Sequence, residues 1–170
     1  MKVIKVILGV IIAISIIFFT TGLFIKETKY ITKIEINKPL DKVFANFNDE
    51  ALLQKWIPEL VSITPIDIKK GKVGSSYLMI VDAGSQKIKM TKKILAYVKN
   101  KKVTFTFDTK DLFKIDEYVF SRKANKTIIK KNTIHRNKTY IMGCIYPYFK
   151  GKLQNIEQKY LDKFKEVVEK

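Results

Sequence analysis

Histidine, cysteine and arginine are scarce in this 170-residue chain, and their scarcity excludes several kinds of site. Cys144 is the only cysteine, so an internal disulfide and a cysteine-based metal centre are both excluded. His135 is the only histidine, so a zinc site or a Ser-His-Asp triad would have no second imidazole. A glycine-rich phosphate loop is also missing, because the run 71–74 lacks the GK[ST] ending. We therefore predict neither a metal nor a cofactor.

Acidic residues are scarce: the chain has 16 Asp+Glu residues and 33 Lys+Arg residues, and its formal net charge is +17. Only Arg122 and Arg136 are arginines, whereas base reading and bidentate phosphate recognition favour the planar arginine fork. The lysines are spread along the whole chain rather than gathered in one block. This pattern disfavours nucleic acid as a partner. It fits a solvated surface and attraction to anionic lipid headgroups.

The longest apolar run, Val6–Ile25, contains no charged side chain and is bracketed by lysines. A helix of that length covers roughly 30 Å, the hydrocarbon thickness of a bilayer, and lipid requires the backbone to be helical. We predict a single-pass membrane anchor at residues 1–26 and a separate domain at residues 27–170. The residues expected to lie in the membrane include Val6, Leu8, Ile11, Ile14, Ile17, Phe18, Leu23 and Ile25.

A cleaved signal peptide is the competing interpretation of this run. It would need a shorter apolar core and a small-x-small cleavage site, and the segment 22–26 has no Ala-x-Ala-like triplet. Lysines on both sides of the run nearly cancel the positive-inside signal. The short N-terminal tail favours a domain on the outer face of the cytoplasmic membrane.

The rest of the chain predicts one α+β domain. Residues 29–36 alternate as a strand, and two short helices follow, the second ending with Trp56 before Pro58. Six further strands with polar turns predict an antiparallel meander, in which Pro65 indicates an edge strand or a bulge. From Gly151 onwards apolar residues fall at helical spacing. The apolar segment 140–149 either extends this helix with a kink at Pro147 or forms a separate turn.

This order of elements resembles the helix-grip fold of the SRPBCC superfamily (START, Bet v 1-like and polyketide cyclase/dehydrase-type proteins). The segment INKPLDKVFANFNDEALLQKWIPELVSI resembles the opening of these domains. The residues that carry the resemblance are Ile36, Pro39, Val43, Phe44, Asp49, Trp56, Pro58, Gly71, Val73, Gly74 and Ser75. The resemblance covers residues 30–170 and implies a curved sheet wrapped around a long C-terminal helix, with an apolar cavity between them.

The implied function is binding of a hydrophobic small molecule or lipid inside that cavity. Strict alternation should turn Val103, Phe105 and Phe107 inward, to meet Leu153, Ile156, Tyr160 and Phe164 from the last helix. The candidate cavity residues are Trp56, Tyr77, Met79, Val103, Phe105, Phe107, Tyr118, Phe120, His135, Tyr160 and Phe164.

Two other functions stay open. The first is an enzyme of polyketide cyclase or hydrolase type acting in the same cavity, for which Asp116, Glu117, Tyr118 and His135 are the candidate acid-base residues. The charges at 114–117 indicate instead a partly solvent-facing strand, and we favour binding without catalysis. The second is a protein-interaction module in the same fold.

Overall fold

The computed structural model describes residues 2–170, and in this range the chain forms four helices and seven strands. The helices are α1 (Lys2–Phe24), α2 (Leu40–Phe47), α3 (Glu50–Trp56) and α4 (Tyr140–Glu169). The strands are β1 (Glu27–Ile36), β2 (Leu60–Asp67), β3 (Ser76–Asp82), β4 (Lys87–Val98), β5 (Lys102–Asp108), β6 (Leu112–Lys123) and β7 (Lys126–Asn137). The predicted α+β class and the order of elements are confirmed.

All seven strands form one antiparallel sheet in the order β1-β7-β6-β5-β4-β3-β2. Strands β2 to β7 are neighbours in sequence order. β1 instead pairs with β7, so it lies at the opposite edge of the sheet from β2. α4 packs along β1 and meets α3, while α2 lies on β6 and β7. This is the helix-grip arrangement. Pro65 lies in the edge strand β2, where the register with β3 shifts between Pro65 and Asp67.

The sequence leaves two alternatives for the segment 140–149, and the structure shows that it is helical from Tyr140 onwards. The Thr139 side chain caps the helix by accepting a hydrogen bond from the backbone N–H of Met142. Pro147 lies inside the helix. The apolar segment therefore extends the last helix instead of forming a separate turn. Its buried residues Gly143 and Cys144 pack against α1.

One residue on the sheet-facing side of α4 differs from the prediction. Ile156, expected to face the sheet, is 39% exposed, whereas the next residue, Glu157, is only 8% exposed. Leu161, Phe164 and Val168 continue the buried stripe below it. The prediction for Ile156 was wrong because a glutamate takes the inward position, where two lysines of the sheet neutralise it. Apolar periodicity alone could not place a charged residue there.

The outer edge of β1 is covered by polar side chains of α4. Gln154 Nε2 donates to the Ile31 carbonyl oxygen at 2.8 Å, and Gln158 Nε2 donates to the Lys33 carbonyl oxygen at 3.2 Å. The Lys33 N–H donates back to Gln158 Oε1 at 3.3 Å. At the strand end the Asn37 N–H donates to Glu169 Oε1 at 2.6 Å. Peptide groups that an edge strand leaves open therefore find partners within the chain.

The helix α1 is long and apolar enough to cross a membrane. Most of its apolar side chains are exposed, among them Leu8, Ile14 and Leu23, which are more than half exposed. Phe18 is half-buried because it packs against α4. The helix ends at Phe24, one residue before the predicted end of the apolar run.

Candidate functional site

The centre of the domain is an aromatic cluster organised around Phe47 at the end of α2. Its ring centroid lies 4.7 Å from that of Tyr118, 5.1 Å from that of Phe120 and 5.6 Å from that of Phe164. Trp56 closes the cluster, with its ring 5.3 Å from Phe164 and its side chain 3% exposed. Phe47 points into the core because it shares the buried face of α2 with Val43 and Phe44.

Two adjoining cavities border this cluster between α3 and the sheet. The inner cavity has a volume of ≈ 40 Å³ and is lined by Phe47, Leu53, Trp56, Ile57, Met79, Lys92, Phe105, Phe107 and Tyr118. The outer cavity has a volume of ≈ 130 Å³ and is lined by Phe47, Asn48, Asp49, Glu50, Leu53, Lys72, Tyr77, Lys92, Ile94 and Phe105. We call the outer cavity the mouth. The two spaces share Phe47, Leu53, Lys92 and Phe105, so these side chains separate the mouth from the inner cavity.

Lys92 is the one ammonium group that borders both cavities among the described residues. Its Nζ lies 4.2 Å from the ring centroid of Phe105 and 5.6 Å from that of Tyr77, which are cation–π distances. Burial lowers the pKa of Lys92 to about 8, and the carboxylate of Glu50 only partly opposes this shift. Lys92 thus places an ammonium group against the apolar interior, while Asp49, Glu50 and Lys72 also line the mouth.

Most of the predicted cavity residues lie in or beside these spaces. Trp56, Met79, Phe105, Phe107 and Tyr118 line the inner cavity, and Tyr77 lines the mouth. Val103, Phe120 and Phe164 are buried in the surrounding core, and Tyr160 packs against it.

The structure places His135 outside the lining of both cavities. Its ring lies between those of Tyr30 and Tyr146, with centroid distances of 5.5 Å to each, and its Nε2 hydrogen-bonds the Tyr30 hydroxyl at 2.8 Å. Burial lowers the pKa of His135 to about 4, so the imidazole is neutral at physiological pH. The geometry suits packing of the β1–β7 pair rather than proton transfer in the cavity.

Three buried charged groups and one half-buried lysine, Lys114, lie between the sheet and α4. We call Lys114, Asp116, Lys131 and Glu157 the charge quartet. Asp116 Oδ2 lies 3.0 Å from each lysine Nζ, and Lys114 Nζ lies 2.9 Å from Glu157 Oε1. Lys131 also pairs with Glu157. Thr133 Oγ1 donates to Asp116 Oδ1 at 3.0 Å.

The expectation of a partly solvent-facing strand at 114–117 holds for Lys114 and Glu117, but Asp116 is only 1% exposed. Glu117, by contrast, is half-buried and bonds Asn132 and Lys102 on the other face of the sheet. Burial opposes ionisation of Glu157, but the two ammonium groups outweigh it and hold the pKa of that carboxyl well below its usual range. The candidate acid-base residue Asp116 is therefore fully engaged as an ion-pair partner.

Sequence reasoning missed Phe47, Leu53, Lys92 and Ile94 as cavity residues. A signal for Lys92 was present, because β4 alternates Ile88, Met90, Lys92 and Ile94 on one face. Pattern-based prediction assigns a lysine to the surface, so the alternation alone did not single out Lys92. Within residues 2–170, no group of three or more His, Cys, Asp and Glu side chains is placed to hold a metal ion.

The curved antiparallel sheet, the two short helices and the long C-terminal helix define the helix-grip fold of the SRPBCC superfamily. The family model described as Activator of Hsp90 ATPase homolog 1-like protein matches residues 37–145, more than half of the chain. The chain belongs to this family. A search of curated proteins found no significant match.

Solved structures with the same fold share little sequence with this chain. Ara h 8.0201 is 14% identical with a TM-score of 0.67, over 84% of this chain and 97% of that one. Norcoclaurine synthase from Thalictrum flavum is 13% identical with a TM-score of 0.63, over 88% and 90%. The di-domain ARO/CYC StfQ from the steffimycin biosynthetic pathway is 9% identical with a TM-score of 0.68, over 84% and 51%. Identities this low show a likeness of fold alone.

Proposed function

We propose that residues 27–170 form a domain that binds a hydrophobic small molecule or lipid, tethered by residues 1–26 as a single-pass anchor. The observation that carries the binding proposal is the pair of aromatic-lined cavities between α3 and the sheet. The superfamily fold supports it, since Bet v 1-like domains hold hydrophobic ligands. The length and apolar character of α1 support the tether. The short N-terminal tail is the reason for placing the domain on the outer face of the cytoplasmic membrane.

The volume of the cavities sets the size of group that binds without rearrangement. An apolar cavity of about 150 Å³ accommodates a benzene ring, and the mouth holds ≈ 130 Å³. The mouth is slightly smaller than that cavity, so one aromatic ring or a short acyl segment is the largest group that we expect it to take without rearrangement. A longer chain would need α3 to move outward, which a helix of seven residues permits more readily than the sheet does.

Blocking the passage between the cavities should abolish ligand uptake. Leu53 lines both spaces, so Leu53→Trp should fill the region between them. Binding of the neutral fluorescent probe N-phenyl-1-naphthylamine, whose three rings need α3 to move outward as well, should fall at least tenfold. Leu52→Trp on the same helix is the matched control, because Leu52 lines neither cavity. Fluorescence titration measures both. Equal binding by wild type and Leu53→Trp would contradict the proposal, provided that both melt at similar temperatures.

The position of Lys92 predicts a preference for ligands with an acidic end. The anionic probe 8-anilinonaphthalene-1-sulfonate should bind more weakly to Lys92→Met than to wild type, while the neutral probe should not distinguish the two. Burial lowers the pKa of Lys92 to about 8, so the ammonium is lost as the pH rises through that value. Wild-type affinity for the anionic probe should therefore fall between about pH 7 and pH 9. A pH-independent affinity for the anionic probe would show that Lys92 makes no contact with it.

Catalysis of polyketide cyclase type in the same cavity is the alternative. Lys92 and Tyr77 are ionisable groups at the mouth, and Tyr118 faces the inner cavity. His135 and Asp116 are engaged elsewhere, so the acid-base residues suggested by the sequence do not converge there. The lack of a converging set favours binding over catalysis.

A further inference from the structure

The first turns of α4 present an apolar face that stays about half exposed although α1 packs against part of it. Tyr140 is 45% exposed, Ile141 60%, Tyr148 56% and Phe149 49%. Residues 141 and 148 are two helical turns apart and so share one side of the helix. The exposed Lys150 and Lys152 follow directly. An aromatic and aliphatic face bordered by lysines is typical of helices that lie at a membrane interface.

This face lies directly beside the end of α1. Thr21 Oγ1 and the Tyr148 hydroxyl are 2.7 Å apart, and the rings of Phe18 and Tyr148 stack with centroids 5.9 Å apart. The Tyr140 hydroxyl donates to the Phe19 carbonyl oxygen. The contacts involve residues 18–22 of α1 and 140–148 of α4.

Two glycines allow the backbones to approach closely at the crossing point. A Cβ added to Gly143 would lie 3.5 Å from the Gly22 Cα, and a Cβ added to Gly22 would lie 2.5 Å from Cys144 Sγ. Small residues at such a point are a common feature of helix contacts in membranes. The contact fixes α4 against α1 rather than leaving the domain on a free linker.

The position along α1 sets the depth of the contact. Phe18 lies six residues before the end of the helix, which corresponds to roughly 9 Å along its axis. Interfacial helices bury their apolar face about 5–10 Å into the boundary between headgroups and acyl chains. If α1 spans the bilayer, Tyr148 is held at that depth.

We infer that the segment Tyr140–Phe149 of α4 is a second membrane contact, which lies in the bilayer interface and fixes the orientation of the domain. This inference rests on the proposed tether. Ile141 and Tyr148 enter the boundary region, while Lys150 and Lys152 meet anionic headgroups.

Depth-dependent quenching by brominated lipids tests the inference with the full chain in vesicles of phosphatidylcholine and phosphatidylglycerol. Ile141→Trp places a reporter on the proposed contact, Leu8→Trp a reporter inside α1, and Ile66→Trp a reporter on the edge strand β2. Native Trp56 is 3% exposed and gives a background that the wild type measures. We expect strong quenching of Ile141→Trp by shallow bromines, quenching of Leu8→Trp by deep bromines, and none of Ile66→Trp.

The outcomes separate the two claims. Quenching of Leu8→Trp without quenching of Ile141→Trp would overturn the interfacial contact and leave the tether intact. No quenching of Leu8→Trp would overturn the tether itself. Quenching of all three reporters alike would show non-specific adsorption and contradict a fixed orientation.

Two glycine variants test the contact between α1 and α4. Gly22→Leu should push α4 away from α1 and expose Cys144, whereas Gly9→Leu should not, because a Cβ at Gly9 meets nothing within 4 Å. Cys144 is the only cysteine, so its rate of labelling by a membrane-permeant maleimide reports whether the contact is open. We expect labelling at least tenfold faster in Gly22→Leu, with Trp56 emission unchanged as a check on folding. Equal rates in the two variants would show that the glycines do not hold the helices together.

Discussion

Replacing Trp56 by alanine should lower the free energy of unfolding by about 3–5 kcal/mol. The ring is 3% exposed and packs against Phe47 and Phe164, so its removal leaves a cavity beside the aromatic cluster. A loss of this size is a large part of the stability of an ordinary domain. Urea denaturation followed by circular dichroism measures it.

Trp56→Phe is the matched control for this prediction. The Trp56 Nε1–H is buried without a hydrogen-bond partner among residues 2–170, so phenylalanine keeps most of the packing and sacrifices no hydrogen bond. Trp56→Phe should lower the free energy of unfolding much less than Trp56→Ala does. Equal losses for the two variants would show that the indole nitrogen has a partner that matters more than the packing of the ring.

Replacing Lys131 by methionine should also destabilise the domain, by about 3–5 kcal/mol, because it leaves the charge quartet with an uncompensated buried carboxylate. Lys131 Nζ lies 3.0 Å from Asp116 Oδ2, pairs with Glu157, and sits 5.0 Å from the Tyr118 ring centroid. Lys130→Met is the control, since Lys130 is exposed on the opposite face of β7. Chemical denaturation at neutral pH compares the two.

A second substitution tests whether charge balance is the cause. Glu157→Gln in the Lys131→Met background leaves the single pair Lys114–Asp116 and should recover part of the loss, by about 0.5–3 kcal/mol in a double-mutant cycle. A strictly additive cycle would contradict the quartet as a coupled unit. The pKa of Glu157 is lowered in the fold, so its contribution is present above its unfolded pKa and is lost as the pH falls. The wild type should therefore lose more stability on acidification than the double variant.

The fold followed from local patterns that are strong in this chain. Alternation identified the strands, Pro39 and Pro58 bounded the two short helices, and Trp56 was correctly expected to be buried. The charged residues of the interior could not be predicted from these local patterns. Lys92, Lys114, Lys131 and Glu157 occupy inward registers, yet a pattern-based prediction assigns lysine and glutamate to the surface.

The physical reason is that burial of a charge depends on a partner far away in sequence. Glu157 is inward because Lys114 and Lys131 lie opposite, 43 and 26 residues earlier in the chain. No local window contains that information. The helical start of α4 was undecided for the same reason, because its stabilising contacts come from α1 at the other end of the chain.

The hydrogen bonds that α4 makes to the outer edge of β1 affect whether two copies of the chain can pair through their edge strands. Proteins confined to a membrane plane meet one another at a high effective concentration, and an open strand would let neighbouring copies join their sheets. Gln154, Gln158 and Glu169 occupy the donors and acceptors that such joining would use. At the far rim, Pro65 and a shifted register leave an irregular strand that is a poor template. If residues 1–26 tether the chain as proposed, both rims would disfavour joining of the sheets of adjacent copies.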